Sequence, residues 1–228
     1  MNASATRGGV TTYNGELALL MSLTPAIAVA VRVIDALWMA AGVVAVLLLS
    51  RACMSLIVRA GNPGTQKDAS PPQGRFFSAL IVSSVLTASF EILLMSADPE
   101  ASASLGIYAP LIAVNFLVLS MTRAVDSGTS MGRELADALG RGIGFAACLI
   151  LIAILREVLG AGTMTLFPVG QFSGVIAVPG LIDDPARALG LAGGGLICLG
   201  YLAALARLAR RRRQESGATG VPTKDGAR

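Results

Sequence analysis

Histidine is absent from this chain of 228 residues, and only three cysteines occur in it. Without histidine the chain lacks the commonest general base and the commonest metal ligand of proteins. Cys53, Cys148 and Cys198 show no C-x-x-C spacing, which excludes a zinc ribbon, a thioredoxin motif and a disulfide framework. We expect these thiols to act as small apolar packing residues, and no metal site is predicted.

Charge is also scarce, because only 14% of the residues are charged against about 25% in ordinary soluble chains. The hydrophobic fraction is 54% and the mean hydropathy is +0.70, so a soluble globular domain is excluded. The net charge of +4 comes largely from one C-terminal arginine cluster, and a nucleic-acid partner is therefore not predicted. The apolar residues fall into long runs, which is typical of a protein embedded in the lipid bilayer.

Six runs are apolar enough to enter a bilayer, which a helix of about 20 residues crosses. They are Leu17–Val31, Val33–Val58, Phe76–Met95, Leu105–Met121, Gly142–Leu159 and Ala188–Leu205. The first and fourth runs are short. The sequence therefore predicts an all-α membrane protein with six transmembrane helices.

Positive charge in short loops predicts the orientation of these helices, since lysine and arginine favour the cytoplasmic side. The loop 59–75 holds three lysines or arginines, the loop 123–141 holds three, and the tail from Arg207 holds seven. With six spans, these regions and the N-terminus lie on one side. The loop around Asp98 and Glu100 has no positive charge. We therefore expect both termini to be cytoplasmic.

A short repeat links the two short runs. Residues 25–29 and 110–114 both read P-x-I-A-V, and each copy stands in the first span of a three-span half. Because three is odd, the second half must cross the membrane upside down relative to the first. Pro25 and Pro110 remove backbone donors and clash with the preceding turn, so the first and fourth helices are predicted to be broken. Interrupted segments at matching positions of inverted repeats indicate a functional centre at the midplane.

The predicted organisation has three parts. Residues 1–14 form a cytoplasmic N-terminal segment, and residues 15–210 form the six-span membrane domain. Its two inverted halves cover about 15–96 and 104–208, with the segment 166–182 as a long external loop. Residues 211–228 form a basic tail that is expected to be disordered.

Glu91 is an acidic residue that lies within the third apolar run. An ionisable residue inside a membrane helix is a functional hypothesis by default. We therefore predict that Glu91 belongs to an ion pathway. The alternative is that Glu91 only reaches the interface at the external end of its helix.

Other charged residues are expected to be structural. Asp35 and Arg32 bracket the first external turn, which indicates a surface ion pair. Arg51, inside the second run, is long enough to extend to the cytoplasmic surface. Arg156 and Glu157 close the fifth run as neighbours, and we expect them to pair with each other.

Two glycine spacings favour close helix contacts. Gly140-x-x-x-Gly144 and Gly190-x-x-x-Gly194 place small residues one turn apart, where they let helix backbones approach each other. No strand and turn of polar residues surrounds them, so they are not phosphate-binding loops.

Three stretches carry a resemblance to a known family. Residues 23–29 read L-T-P-A-I-A-V, residues 105–115 read L-G-I-Y-A-P-L-I-A-V-N, and residues 156–163 read R-E-V-L-G-A-G-T. In these stretches the chain resembles the RnfE/NqrD branch of the small six-span subunits of Rnf and sodium-pumping NADH:quinone reductase complexes. The resemblance extends over roughly residues 15–210.

This resemblance implies a membrane subunit of a complex in a bacterial inner (cytoplasmic) membrane that couples electron transfer to Na⁺ or H⁺ movement. Such a subunit pairs with a homologous six-span subunit of opposite topology and with other Rnf/Nqr-type subunits. Flavins and most iron–sulfur centres of the complex belong to those partners. No complete activity is expected of the chain alone. The broken-helix centre would comprise Pro25, Pro110 and Asn115.

The sequence departs from the family at two positions. In the family, two half-helices donate cysteines to a [2Fe–2S] cluster shared with the homologous partner. The matching positions are Thr24, just before the first proline, and Phe116, just after V-N. Thiolates hold such clusters, so the family's cluster ligands are missing here and no cofactor is expected on this chain alone.

Two other functions remain open on the sequence. Inverted repeats with broken helices are equally typical of a small secondary transporter. A non-catalytic assembly scaffold of such a complex is the third possibility.

Overall fold

The computed structural model describes residues 21–28, 30–60, 72–123, 130–165, 175–177 and 187–218, nearly all of them helical. Helix α1 covers 21–28, and the later helices are α2 (Val33–Ala60), α3 (Pro72–Ala97), α4 (Pro99–Leu105), α5 (Phe116–Arg123), α6 (Met131–Ala161) and α7 (Ala192–Ala218). A 3-10 helix, Gly106–Ile112, stands between α4 and α5. Before α7 come the strands β1 (Thr163–Thr165) and β2 (Val175–Ala177) and a 3-10 turn, Arg187–Gly190.

Helices α2 and α6 form the centre of the fold and run antiparallel. Val33 at the start of α2 is hydrogen-bonded to Glu157 near the end of α6, whereas Gly142, earlier in α6, lies against Val44 and Leu47. A Cβ atom on Gly142 would lie 3.3 Å from Val44 Cγ2. The absence of a side chain at residue 142 therefore allows the two helices to touch.

Four helical segments are long and apolar enough to cross a bilayer, namely Val33–Ala60, Phe76–Ala97, Pro99–Ser120 and Met131–Ala161, and a shorter apolar helix covers Gly193–Leu205. The outward positions of α3 are apolar as well, since Ile81, Ile92 and Leu93 are each more than 60% exposed. Such a surface suits lipid, which satisfies no backbone polar group and favours helices. The chain is an all-α multi-pass membrane protein, whereas the count of six spans stays a prediction.

Two helices extend beyond the apolar runs that predict them. α6 begins at Met131, well before the run that starts at Gly142, because residues 133–139 (R-E-L-A-D-A-L) are mostly good helix formers. α7 continues to Ala218, into the tail 211–228 for which disorder is expected from the sequence. Arginine, glutamine and glutamate also favour helix, and hydropathy alone does not detect such extensions.

A small hairpin precedes α7 where the sequence predicts a long loop. β1 and β2 pair antiparallel, with Thr163 opposite Ala177 and Thr165 opposite Val175. β2 lies inside the segment 166–182, and the rest of that segment is outside the described residues. The strand residues are β-branched or apolar, which favours pairing. Strands of three residues are too short to be recognised in the sequence by an alternation of polar and apolar residues.

The predicted glycine contacts are seen only in part among the described residues. The backbone of Gly190 lies against α6, since a Cβ atom on Gly160 would lie 3.1 Å from Gly190 N. A Cβ atom on Gly140, Gly144 or Gly190 would meet nothing within 4 Å among the described residues. Gly194 does make a close approach, but its neighbour is the backbone of Leu189 in the preceding turn and not another helix. Spacing alone does not tell which face of a helix is covered.

Gly195 is the glycine that brings α7 against α1. A Cβ atom on this residue would overlap Ile27 Cγ2, and the Ile27 side chain is itself buried. Since Ile27 belongs to the continuous apolar core, it has no free space into which to move. Glycine at this position therefore determines how closely the two helices pack.

The substitution Gly195→Ala should destabilise the protein by about 1–3 kcal/mol, because an added methyl group overpacks the contact with Ile27. Gly200→Ala, in the same helix, is the matched control, since a Cβ atom there meets nothing within 4 Å. Thermal unfolding in detergent would compare the two variants. Equal melting temperatures for both would contradict the proposed contact.

Candidate functional site at the interrupted fourth segment

The α-helix is interrupted around Pro110 in the fourth apolar segment, where the sequence predicts a break. α4 begins after Asp98, whose Oδ1 accepts a hydrogen bond from Ala101 N at 3.0 Å, and it ends at Gly106. The φ of Gly106 is 43°, in the region that favours glycine. The 3-10 helix that follows contains Pro110, which lacks an amide hydrogen and disfavours a regular α-helix. The α-helix resumes only at Phe116.

Asn115 closes this break from inside the protein, where its side chain is only 1% exposed. Its Oδ1 accepts a hydrogen bond from Leu117 N at 3.0 Å, which makes it the N-cap of α5. Its Nδ2 donates to the carbonyl oxygen of Ser22 in α1 at 3.1 Å. One amide side chain therefore connects the two proline-containing segments.

The first proline-containing segment looks different in its described part. Residues 21–28 are α-helical through Pro25, and a turn at residues 30–32 leads into α2. The predicted break of the first helix is therefore not seen within 21–28, and any interruption before Met21 lies outside the described residues.

Ser83 joins α3 to the same break. Its Oγ lies 2.9 Å from the carbonyl oxygen of Ala113 and 3.0 Å from that of Leu80, so its single proton is shared between these two acceptors. Ala113 lies in the turn between the 3-10 helix and α5, where an α-helical partner for its carbonyl is missing. A buried hydroxyl group therefore supplies the hydrogen bond that the broken helix cannot make.

Ser83 begins a polar stripe on α3 that continues to Thr87 and Glu91. Residues four apart lie on one face of a helix. Thr87 is 2% exposed, and its Oγ1 and the Oε1 of Glu91 are buried with no hydrogen-bond partner in the described part of the chain. A buried polar atom without a partner is uncommon and indicates an unseen water, ion or functional role. One carboxyl oxygen of Glu91 therefore lies inside the protein, although the residue as a whole is only half-buried.

Arg156 is the largest of the fully buried side chains, and all five of its N–H groups reach backbone carbonyls. Nη1 donates to Ile27 O at 2.5 Å and to Ala30 O at 2.9 Å. The remaining three donors reach carbonyls around the turn before α7, with Nε on Leu189 O at 3.1 Å and Nη2 on Gly190 O and Leu191 O at 3.0 Å. The guanidinium is therefore saturated and joins α1, α6 and α7.

Glu157 is also buried and bonds to backbone groups. Its Oε2 accepts a hydrogen bond from Val33 N at 2.6 Å, and its Oε1 accepts one from Thr165 N at 2.6 Å. The predicted pairing of Arg156 with Glu157 is therefore wrong. Neighbouring residues on a helix do not face each other, and each of these two side chains bonds to a different part of the chain.

A cavity of about 280 Å³ lies beside this pair. Its lining includes Arg32, Gly160, Thr163 and Thr165, and Thr165 Oγ1 is buried without a partner in the described residues. Because the polar atoms of Arg156 and Glu157 already form hydrogen bonds with the backbone, they have little hydrogen-bonding capacity left for a ligand. The cavity belongs to the structural end of α6 and lies apart from the break.

Two further predictions about charged residues are wrong. Arg51 does not extend to the surface but is 6% exposed within α2, because α6 reaches back to Met131 and covers this end of α2. The buried Glu134 of α6 lies in that extension. Asp35 is buried too, and the ion pair of Arg32 is with Glu100, whose Oε1 lies 3.8 Å from Nη1.

The two family cluster positions both lie at the protein surface. Thr24 is exposed and Phe116 is 45% exposed. Thr24 is two residues after Ser22, and Phe116 directly follows Asn115. Both positions therefore flank the hydrogen bond between Ser22 and Asn115. Among the described residues, no group of three or more His, Cys, Asp or Glu side chains is suited to a metal ion.

Arg156→Lys should lower the free energy of unfolding by about 3 kcal/mol or more. Lysine has a single point charge in place of the planar fork, and each buried carbonyl left without a donor costs about 1–3 kcal/mol. Arg141→Lys is the matched control in the same helix, because Arg141 makes only an exposed ion pair with Asp137. The yield of monodisperse protein and its melting temperature would measure the difference, and equal values for both variants would contradict the role of Arg156.

Asn115→Ala should cost about 2 kcal/mol, because it removes the cap of α5 and leaves the buried carbonyl of Ser22 without this donor. Ser120→Ala is the control in α5, since Ser120 Oγ only adds a second bond to the helical carbonyl of Leu117. Melting temperature and resistance to limited proteolysis would report the loss. A variant as stable as the control would disprove the link through Asn115.

Comparison with known proteins gives consistent matches along the chain. Residues 3–203 match the family described as Rnf-Nqr subunit, membrane protein. The chain is 31% identical over 214 residues to a subunit of the ion-translocating oxidoreductase complex of Methanosarcina acetivorans, a match covering 93% of this chain and 92% of the relative. It is 26% identical over 197 residues to a subunit of the Na(+)-translocating ferredoxin:NAD(+) oxidoreductase complex of Acetobacterium woodii, covering 86% and 91%.

Proposed function

The chain belongs to the Rnf-Nqr family of membrane subunits, and from this premise we propose that it works as a subunit of an ion-translocating electron-transport complex. Relatives named as subunits of such complexes match nearly the whole length of the chain. The proposal rests on this match along nearly the whole chain, together with the hydrogen-bonded break around Asn115. Electron transfer in the complex would be coupled to Na⁺ or H⁺ movement, and the chain alone would have no complete activity.

The proposed topology has six spans in two inverted three-helix halves, about 15–96 and 104–208. The antiparallel contact of α2 with α6 supports it, because inversion makes the second helix of each half run in opposite directions. The P-x-I-A-V repeat at Pro25 and Pro110 supports it as well. We propose that both termini are cytoplasmic, because the lysines and arginines of the short loops would then lie on the cytoplasmic side, and that the protein lies in the cytoplasmic membrane.

The proposed partners are a homologous six-span subunit of opposite topology and subunits that carry flavins and iron–sulfur centres. The chain offers no histidine and few charged groups, so redox chemistry in the complex must depend on cofactors held elsewhere. The names of the relatives describe subunits of oxidoreductase complexes, which is consistent with this division of labour.

Within the complex, the polar stripe on α3 is the proposed ion pathway. Glu91 places a carboxyl oxygen in the protein interior, and Thr87 adds a buried hydroxyl one turn away; both lack a partner in the described residues. Ser83, one turn further, bonds to the broken segment at Ala113. An ionisable group inside the membrane that faces protein is typical of an ion or proton route.

Glu91→Gln and Thr87→Val should reduce the ion movement per electron transferred by the intact complex, because each removes an oxygen suited to a cation or a proton. Ser89→Ala is the matched control, since Ser89 is exposed on α3 and bonds only to the carbonyl of Val85. Proteoliposomes with a pH-sensitive or Na⁺-sensitive dye would measure translocation beside electron transfer. Wild-type coupling in both variants would rule out the stripe as the pathway.

Assembly is tested first by a mild-detergent pull-down through a C-terminal tag, with iron and flavin measured in the same sample. We expect recovery of subunits that carry flavin and iron–sulfur centres. Recovery of the chain alone, with ion or substrate flux in liposomes, would favour the secondary transporter. Co-assembly with unchanged coupling in the Glu91→Gln and Thr87→Val variants would favour the scaffold.

A further inference from the structure

Thr24 and Phe116 lie on the part of the surface where the two proline-containing segments meet. The hydrogen bond from Asn115 Nδ2 to Ser22 O holds the segments together at 3.1 Å. Thr24 follows Ser22 by half a helical turn, and Phe116 directly follows Asn115. Both side chains are exposed, so the surface that would carry cluster ligands faces away from the core of this chain.

The donor chemistry of this surface does not fit an iron–sulfur cluster. [2Fe–2S] clusters are held by cysteine thiolates, with histidine as the known substitute in some centres. The chain has no histidine, a threonine hydroxyl is a poor donor to iron, and phenylalanine has no donor atom. Neither position therefore offers the iron a proper ligand.

The three cysteines do not replace the missing cluster ligands. Cys53 lies in α2 near its end, Cys148 lies exposed in α6, and Cys198 is buried in α7. Cys198 is one turn beyond Gly195, which packs on Ile27 of α1. Its thiol is only 7% exposed, whereas the surface with Thr24 and Phe116 faces outward.

The break does not need a metal to keep its shape. Asn115 caps α5 and bonds to α1, and Ser83 satisfies the carbonyl of Ala113. These bonds come from side chains of the chain itself, and they satisfy the groups that a broken helix leaves without partners. Loss of cluster ligands is therefore compatible with an intact fold.

We propose that this chain contributes no ligand to a [2Fe–2S] cluster, so that electrons in its complex pass only through centres held by other subunits. The inference rests on the proposed function, because it concerns the chain as part of an electron-transport complex. It makes the chain a membrane subunit without a redox centre of its own.

The test uses the intact complex purified through the tagged chain. One variant replaces all three cysteines, as Cys53→Ser, Cys148→Ser and Cys198→Ala, and a second carries Thr24→Val. The iron-to-flavin ratio and the electron paramagnetic resonance spectrum of the reduced complex are compared with wild type. We expect both measurements to be unchanged in both variants.

A loss of about two iron atoms per complex, with a [2Fe–2S] signal missing while flavin and subunit composition stay constant, would overturn the inference. If the triple replacement lowers the yield of complex, the three single replacements are measured in its place, and the same loss in any of them has the same meaning. Failure of the wild-type chain to recover flavin- and iron-bearing subunits would instead refute the proposed function, so the two failures are distinguishable.

Discussion

Backbone groups that lose their helical partners inside a bilayer must find others within the protein, because lipid offers none. This constraint accounts for the polar residues that surround the interrupted segment. Asn115 supplies an acceptor to α5 and a donor to α1, and Ser83 supplies a donor to the turn at Ala113. The break is stable because Asn115 within the segment and Ser83 of α3 replace the missing hydrogen bonds.

The same constraint gives a role to two adjacent charges. Arg156 binds carbonyls at the end of α1, at Ile27 and Ala30, and Glu157 binds the amide of Val33 at the start of α2. A cation suits the end of a helix and an anion suits the beginning of one. One dipeptide of α6 therefore holds the turn between two consecutive helices from both sides. Neither charge needs the other as a partner.

Much of the membrane architecture could be predicted from the sequence, because long apolar runs and Pro110 act locally. The second run coincides with α2 almost to the residue, and the break falls where proline disfavours helix. Asn115 could also be predicted, since it belongs to a motif that resembles a known family. These features depend on neighbours in the chain, which the sequence displays directly.

The partners of buried charges could not be predicted in the same way. Arg51 is covered by an extension of α6 that lies outside any apolar run, and Arg32 pairs with Glu100 and not with Asp35. Such pairings depend on which helices contact each other and on which residues along each helix lie at the contact. The stripe of Ser83, Thr87 and Glu91 left a weak signal, because polar residues recur every fourth position within an apolar run. Only the packing of the helices shows that this face of α3 points into the protein.

Two kinds of buried polar groups are therefore present in the interior. Arg156 donates all five of its N–H groups to backbone carbonyls, and each carboxyl oxygen of Glu157 accepts one backbone N–H. Thr87 and Glu91 retain buried oxygens without partners in the described residues. An unsatisfied buried oxygen costs free energy, and a cation or a proton on the proposed ion route along α3 would satisfy these two. Arg156 and Glu157, whose polar groups bond to the backbone, hold the helices in place.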